Sequence, residues 1–298
     1  MDLGPPGSVR PQVEPWELKA RATSARLLRR VIPHASRPTL RALYNRLTWR
    51  LYTGDRVSCN CCRGTFRRFR IHIGREGHRS LMCPRCGSLG RHRVDWLFLT
   101  EQTDALMRAH RLLHIAPEVC LENPIRRFTQ IDYRSADYDS KLAMEHVDAT
   151  AMHYESESFD AVICNHVLVV IEDDEAAMAE LHRVLKPGGW ALLQATVDTA
   201  HERTIERARP ATGARYEEFV LRQYGRDYVA QLEQVGFSVV VSEFVQALPI
   251  AERERFGLDP GETIFFCRKP ADAGAASEEA SDVRPRQARA ETEKVARS

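Results

Sequence analysis

The sequence predicts an α/β fold, a parallel sheet wound on both faces by helices and set behind a small cysteine-rich module. Three observations carry this. From about residue 111 short apolar runs alternate with helix-period segments, the pattern of parallel strands joined by crossover helices. Two Cys-x-x-Cys pairs stand 20 residues apart in the first hundred. Charge is unevenly spread: residues 1–100 hold 20 Lys+Arg against 6 Asp+Glu, and the remainder holds 23 against 35. With 298 residues, 43% of them hydrophobic, the chain can build one domain of ordinary size plus a small module and polar ends.

Taken in order, residues 1–15 are Pro/Gly-rich and expected to be disordered, as is the polar tail 271–298. Region 16–54 is basic and amphipathic: ELKARATSARLLRRVI and TLRALYNRLTWRLY place apolar residues at helical spacing among arginines, with a break near Pro33 to Pro38. Such helices pack on a domain, lie on a membrane surface or touch a polyanion such as nucleic acid. Residues 55–100 form the cysteine module. In 101–270, RLLHIAP, QIDYRSAD, FDAVICN and GWALLQAT read as strands, and EDDEAAMAELHRVLKPGG as a helix ended by Pro187, Gly188 and Gly189. RDYVAQLEQVGF is a further helix, followed by strands in SVVVSEF and ETIFFCRK. No apolar run approaches the roughly 18 residues of a membrane span, and the N-terminus lacks a signal peptide's apolar core. A cytoplasmic location is therefore expected, with cysteines as thiols or metal ligands.

Cys59-Asn-Cys61-Cys62 and Cys83-Pro-Arg-Cys86 each contain a Cys-x-x-Cys pair. Such a turn aims two thiolates at one point, and two turns complete a tetrahedral site with Zn–S near roughly 2.3 Å. The expected ligands of a structural Zn2+ are Cys59, Cys62, Cys83 and Cys86. Cys61 is the spare, because pairing it with Cys62 would force adjacent side chains onto one ion. His72 and His78 lie between the pairs as possible substitutes, but four thiolates already close the site. A closed site has no open coordination position, so the metal staples the fold and is no Lewis acid. A redox dithiol fits less well, since it normally needs one such pair at a helix start. Cys120, Cys164 and Cys267 stand in apolar surroundings and read as core residues.

The segments CPRCGSLGRHRVDWLFL, LLHIAPEVCL, DAVICNHVL and ELHRVLKPGGWALLQ together resemble a bacterial family of class I S-adenosylmethionine-dependent methyltransferases with an N-terminal zinc knuckle, over about 55–270. The Leu-Lys-Pro-Gly-Gly turn is similar to one common in the type 11 group. The resemblance implies a Rossmann-like, seven-stranded methyltransferase sheet and S-adenosyl-L-methionine as cofactor. In the general class an acid and glycines follow the first strand, so that backbone can approach the methionine moiety. Here His114 stands where an acid is usual, and Ala116 and Pro117 replace glycines; the nearer family shares this Ala-Pro-Glu turn. His114, Ala116 and Glu118 are then cofactor-binding candidates, Glu118 facing the amino group. Asp137, ending the second strand, is expected to accept the ribose hydroxyls, with Asp132 the competing choice. Asp148, after the third strand, has a family counterpart that contacts the adenine amine.

Asn165 and His166 follow the fourth strand, where the methyl group meets its acceptor. His166 is the candidate general base; its alternative role is to satisfy a strand-end backbone group. No Asp/Asn-Pro-Pro-Tyr or Pro-Cys follows this strand, which disfavours adenine amino and cytosine carbon-5 methylation. The family often reads His-Val-Leu-Glu-His here, whereas this chain has Val169 and Val170 in the last two places, and Phe219 and Val220 replace an Asp-His pair. These changes imply either a more apolar acceptor pocket or loss of catalysis. The expected activity is methyl transfer to a hydroxyl, carboxyl or amine of a small-molecule, glycan or lipid-linked acceptor. The alternatives are an RNA methyltransferase gripping phosphates through the basic first third, and a non-catalytic cofactor-binding scaffold. Without Gly-x-Gly-x-x-Gly after a strand, a dehydrogenase is disfavoured.

Overall fold

A computed structural model of the chain describes residues 37–74, 79–140, 142–207 and 220–271. The first basic segment of region 16–54, both expected disordered ends (residue 271 apart), His78 and Phe219 lie outside the described residues. Along the chain come α1 (Arg37–Thr48), a 3-10 turn (Trp49–Tyr52), β1 (Thr53–Cys59), β2 (Gly64–Phe66), β3 (Arg70–Ile73), β4 (Arg79–Met82) and α2 (Gly90–Leu97). Then follow α3 (Ala105–Arg108), β5 (Arg111–Ile115), α4 (Val119–Ile125), β6 (Asp132–Asp137), β7 (Glu145–His146), β8 (Phe159–Cys164) and α5 (Asp174–Val184). The chain continues through β9 (Leu185–Leu192), β10 (Ile205–Glu206), β11 (Arg222–Gln223), α6 (Tyr228–Gln234) and β12 (Ser238–Ser242). It ends in α7 (Phe244–Ala247), α8 (Ile250–Phe256) and β13 (Ile264–Arg268). No described helix is long and apolar enough to cross a membrane.

Two compact units result. The first gathers described residues up to Phe98 together with Val119–Pro124 and Glu243–Thr263; the second holds Leu99–Glu118, Ile125–Ser242 and the chain from Ile264. The knuckle unit thus takes in two segments that a linear boundary near residue 100 does not include.

The second unit is built on a seven-stranded sheet in the order β12-β13-β9-β8-β5-β6-β7. β9, β8, β5, β6 and β7 run parallel, while β13 is antiparallel to both β9 and β12. Strand order reverses at β5, which pairs with β6 on one side and β8 on the other. In open parallel sheets that reversal opens a crevice beyond the strands' carboxyl ends, where ligands bind. The central strands are apolar because both faces are covered: Leu112, Leu113, Ala161, Val162 and Ile163 are fully buried.

α5 shows why its sequence is helical. The Asp173 carboxylate accepts from Ala176 N at 2.9 Å, acids occupy the first turn, and His182 and Arg183 the last. Ala177, Met178, Leu181 and Val184 form its buried stripe. The helix ends at Val184, not in the Pro187-Gly188-Gly189 turn as the sequence suggested. Leu185 already pairs with Phe159, and the register then jumps to Ala161 opposite Trp190. The intervening residues bulge from β9, with Gly188 at φ +75°. A Cβ on Gly189 would lie 2.9 Å from Asp160 O, so no larger residue fits that bulge.

Candidate functional site

In the knuckle unit, the two cysteine pairs occupy turns that follow antiparallel pairings. Cys59 ends β1 and Cys62 lies in the β1–β2 turn; Cys83 and Cys86 follow β4, which pairs with β3. The residue after each second cysteine is left-handed, Arg63 at φ +57° and Gly87 at φ +76°. The four sulfurs lie within 4.8 Å of one another, with Cys59–Cys86 at 3.6 Å and Cys62–Cys83 at 3.7 Å. Four ligands at roughly 2.3 Å around a tetrahedral ion stand about 3.8 Å apart, so this donor set fits Zn2+. A disulfide would need roughly 2.05 Å. Ser88 Oγ lies 3.2 Å from Cys59 Sγ and 3.3 Å from Cys86 Sγ, and Cys86 N points to Cys83 Sγ at 3.5 Å. Cys61 points away from the cluster, toward His92 O at 3.6 Å, and burial raises its thiol pKa.

Arg93 is the residue that sequence reasoning missed here. It is fully buried, and its guanidinium donates to Ser88 O (2.7 Å), Leu81 O (2.9 Å), Phe256 O (2.6 Å) and Gly257 O (2.9 Å). It also stacks over Phe69 at 4.2 Å. Through Ser88 it places a positive charge beside a four-thiolate centre, and it binds the last carbonyls of α8, the end that a cation favours. Only its place in an apolar helical run (Val94, Trp96, Leu97) hinted at burial.

In the sheet unit, the strand ends gather the other candidates. Ala116, directly after β5, has φ +50°, so the turn adopts the left-handed backbone for which the general class uses glycine. His114 is fully buried, its Nδ1 3.0 Å from Tyr133 Oη and its Nε2 2.9 Å from Glu118 Oε2. A proton on Nε2 satisfies both contacts, with the tyrosine donating to Nδ1. Both ring nitrogens are therefore engaged within the chain, and His114 holds Glu118 in place. Glu118 also lies close enough to Cys164 for its charge to add to the burial that raises that thiol's pKa. Cys164 and Cys267 are fully buried and Cys120 nearly so, all within the packing.

Asp137 ends β6, with Oδ1 accepting from Asp139 N (2.8 Å) and Ser140 N (2.7 Å). Asp132 starts the same strand, at its amino end, and pairs with Arg134 at 3.1 Å. Asp148, just beyond β7, accepts from Thr150 N (2.9 Å) and Thr150 Oγ1 (2.7 Å). Asn165 is buried after β8, and His166 follows at φ +55°, its N–H donating to Gln194 O at 2.7 Å. Three carboxylates, Glu118, Asp137 and Asp148, thus stand at or shortly after the carboxyl ends of β5, β6 and β7, with the left-handed turn at Ala116 beside them.

The apolar departures are absorbed by packing. Val169 belongs to the core, Val170 and Val220 pack against it, and Leu221 N donates to Val169 O at 2.8 Å. Arg222, also missed, holds this loop: its buried guanidinium donates to Leu168 O (2.7 Å) and Glu172 O (2.9 Å) and faces Asp174 at 3.3 Å. Tyr224 Oη donates to the same Asp174 at 2.5 Å. The Arg-x-Tyr-Gly spacing was the signal that could have found them.

Residues 119–193 match the family model described as a methyltransferase domain. A sterol 24-C-methyltransferase from Clavispora lusitaniae (strain ATCC 42720) is 30% identical over 130 residues, covering 41% of this chain and 34% of that protein. The chain thus spans about a third of this relative's length. Among solved structures, an S-adenosylmethionine-dependent methyltransferase from Mesorhizobium loti is similar at 14% identity and TM-score 0.38, over 54% of this chain and 90% of that one. The [4+2]-cyclase SpnF is similar at 18% identity and TM-score 0.40, over 61% of this chain and 81% of that one.

Proposed function

We propose that this chain, whose sheet unit is a class I methyltransferase domain, transfers the methyl group of S-adenosylmethionine to a hydroxyl, carboxyl or amine of a small-molecule, glycan or lipid-linked acceptor. The observation that carries the reading is the row of Glu118, Asp137 and Asp148 at the carboxyl ends of β5, β6 and β7, beside the left-handed turn at Ala116. Glu118 would hold the cofactor's amino group, Asp137 the ribose hydroxyls and Asp148 the adenine amine, with Ala116 and Asn165 lining the path between them. When bound, the cofactor supplies an electrophilic sulfonium methyl group. The chain's own contribution is alignment of the acceptor with that methyl and removal of the acceptor's proton. His166, at the β8 end, is the group for the proton. With Val169 and Val170 in place of a second acid and histidine, a hydroxyl acceptor loses more than a carboxylate, which has no proton to give up. The sterol methyltransferase relative makes a lipid-like acceptor the first to try. Zn2+ on Cys59, Cys62, Cys83 and Cys86 serves as a structural staple.

Calorimetric titration with S-adenosylmethionine and S-adenosylhomocysteine tests the cofactor half. Asp137→Ala removes a charged acceptor and is expected to weaken both by roughly tenfold or more, about 1.5–3 kcal/mol. Absence of binding by folded, zinc-loaded protein would sink both the enzyme reading and the cofactor-binding scaffold, whereas binding without methyl transfer would leave the scaffold. A second reading, methylation of RNA, rests on the 20 basic residues among the first hundred. It requires salt-sensitive RNA binding, with affinity falling steeply as salt rises.

A further inference from the structure

The outward face of α1 is apolar where a surface helix should be polar. Its inward face is marked by Asn45, which is 4% exposed and accepts from Arg70 Nη1 at 2.7 Å, and one turn later by Trp49, over which Arg85 stacks at 5.4 Å. On the other side Leu40, Leu43, Leu47 and, in the 3-10 turn, Leu51 recur at spacings of three and four residues. They are 44%, 51%, 70% and 67% exposed. This leucine stripe is flanked by the exposed Arg46 and Arg50, and Arg67 reaches back to Leu51 O. A continuous leucine row bordered by arginines is the pattern of a helix lying in a bilayer interface, its apolar face in the acyl boundary and its cations on lipid phosphates.

Charge selects among the occupants such a face could have. A second copy meeting it about a two-fold axis would bring Arg46 and Arg50 of both chains together. Residues 1–36 of the same chain carry 6 Lys+Arg against 3 Asp+Glu, a net charge of the same sign as Arg46 and Arg50. An RNA strand would satisfy the arginines but leave the leucines in water, since bases stack on aromatic and not aliphatic side chains. An anionic bilayer satisfies both.

We propose that the outward face of α1 and its following 3-10 turn docks the protein on an anionic lipid bilayer through Leu40, Leu43, Leu47 and Leu51. The interaction does not depend on methyl transfer. The test is flotation of the full chain, zinc-loaded, with phosphatidylcholine vesicles containing or lacking phosphatidylglycerol, across a salt series. Wild type floats with the anionic vesicles only, and less as salt rises. Leu43→Ser/Leu47→Ser, at exposed positions, keeps the wild-type melting profile and zinc content but partitions about tenfold less or weaker still. Arg46→Gln/Arg50→Gln loses on the order of tenfold, and only for anionic vesicles. The proposal is overturned if wild type ignores phosphatidylglycerol, or if the leucine variant floats like wild type. It is equally overturned if the leucine substitutions dissolve a dimer without changing flotation, or if wild type binds RNA and no vesicle.

Discussion

Ala116 holds a backbone conformation that costs an L-residue about 1 kcal/mol or more and costs glycine little. Ala116→Gly should raise stability by up to about 1 kcal/mol in urea unfolding, the gain trimmed by glycine's larger unfolded-state entropy, while cofactor affinity is kept. His114 acts at one remove. His114→Phe should cost about 1–3 kcal/mol of stability, because Tyr133 Oη is left without its buried partner, and in the folded protein weaken S-adenosylhomocysteine roughly tenfold in calorimetry, because Glu118 loses its 2.9 Å partner. Glu262, in the loop before β13, has its carboxyl pKa raised to about 7 by burial, with Asp259 adding to the shift and Arg91 opposing it. A raised acid favours the protonated fold, so this contribution is complete below the ordinary value near 4.5 and is lost as pH rises through about 7. Glu262→Gln should therefore be more stable than wild type at pH 8, by on the order of 2 kcal/mol, and equal to it at pH 4; urea titrations at the two pH values decide. None of these three positions declares itself by type alone. The left-handed turn was legible only as missing glycines, and the histidine only as a substituted acid.

Secondary elements were legible where one local force dominates. The strands β5, β6 and β8 follow from short apolar runs, and α5 from its cap, its charged ends and its buried stripe. The error at Leu185 has a clear cause: a Pro-Gly-Gly turn reads as a helix stop, but pairing with Phe159 draws the chain into β9 before the turn is reached. Arg93 shows an element held from outside, since α8 is tied to α2 by bonds spanning 163 and 164 residues of chain. Arg93→Ala would strip the guanidinium from four carbonyls, of which Ser88 O keeps Cys83 N, and should cost about 3 kcal/mol in denaturant unfolding. Arg93→Lys should recover little, because one ammonium cannot span that fork.

At the scale of the whole molecule, the knuckle unit is a staple whose removal should be visible. A strong chelator should give an earlier thermal transition that Zn2+ restores and Mg2+ does not, since thiolate donors select the softer ion. Cys83→Ser should show that early transition permanently, with no response to added Zn2+. The alternation of strands and helices and the meeting of four cysteines could be read from the chain alone, because hydrophobic period and Cys-x-x-Cys turn geometry act within a few residues. The tertiary structure decided what depends on chain segments far apart. It set Asp137 and Asp132 at opposite ends of β6, placed His114 between Tyr133 and Glu118, and carried residues 243–263 into the knuckle unit. Those outcomes rest on contacts between distant segments, which no local pattern of residues encodes.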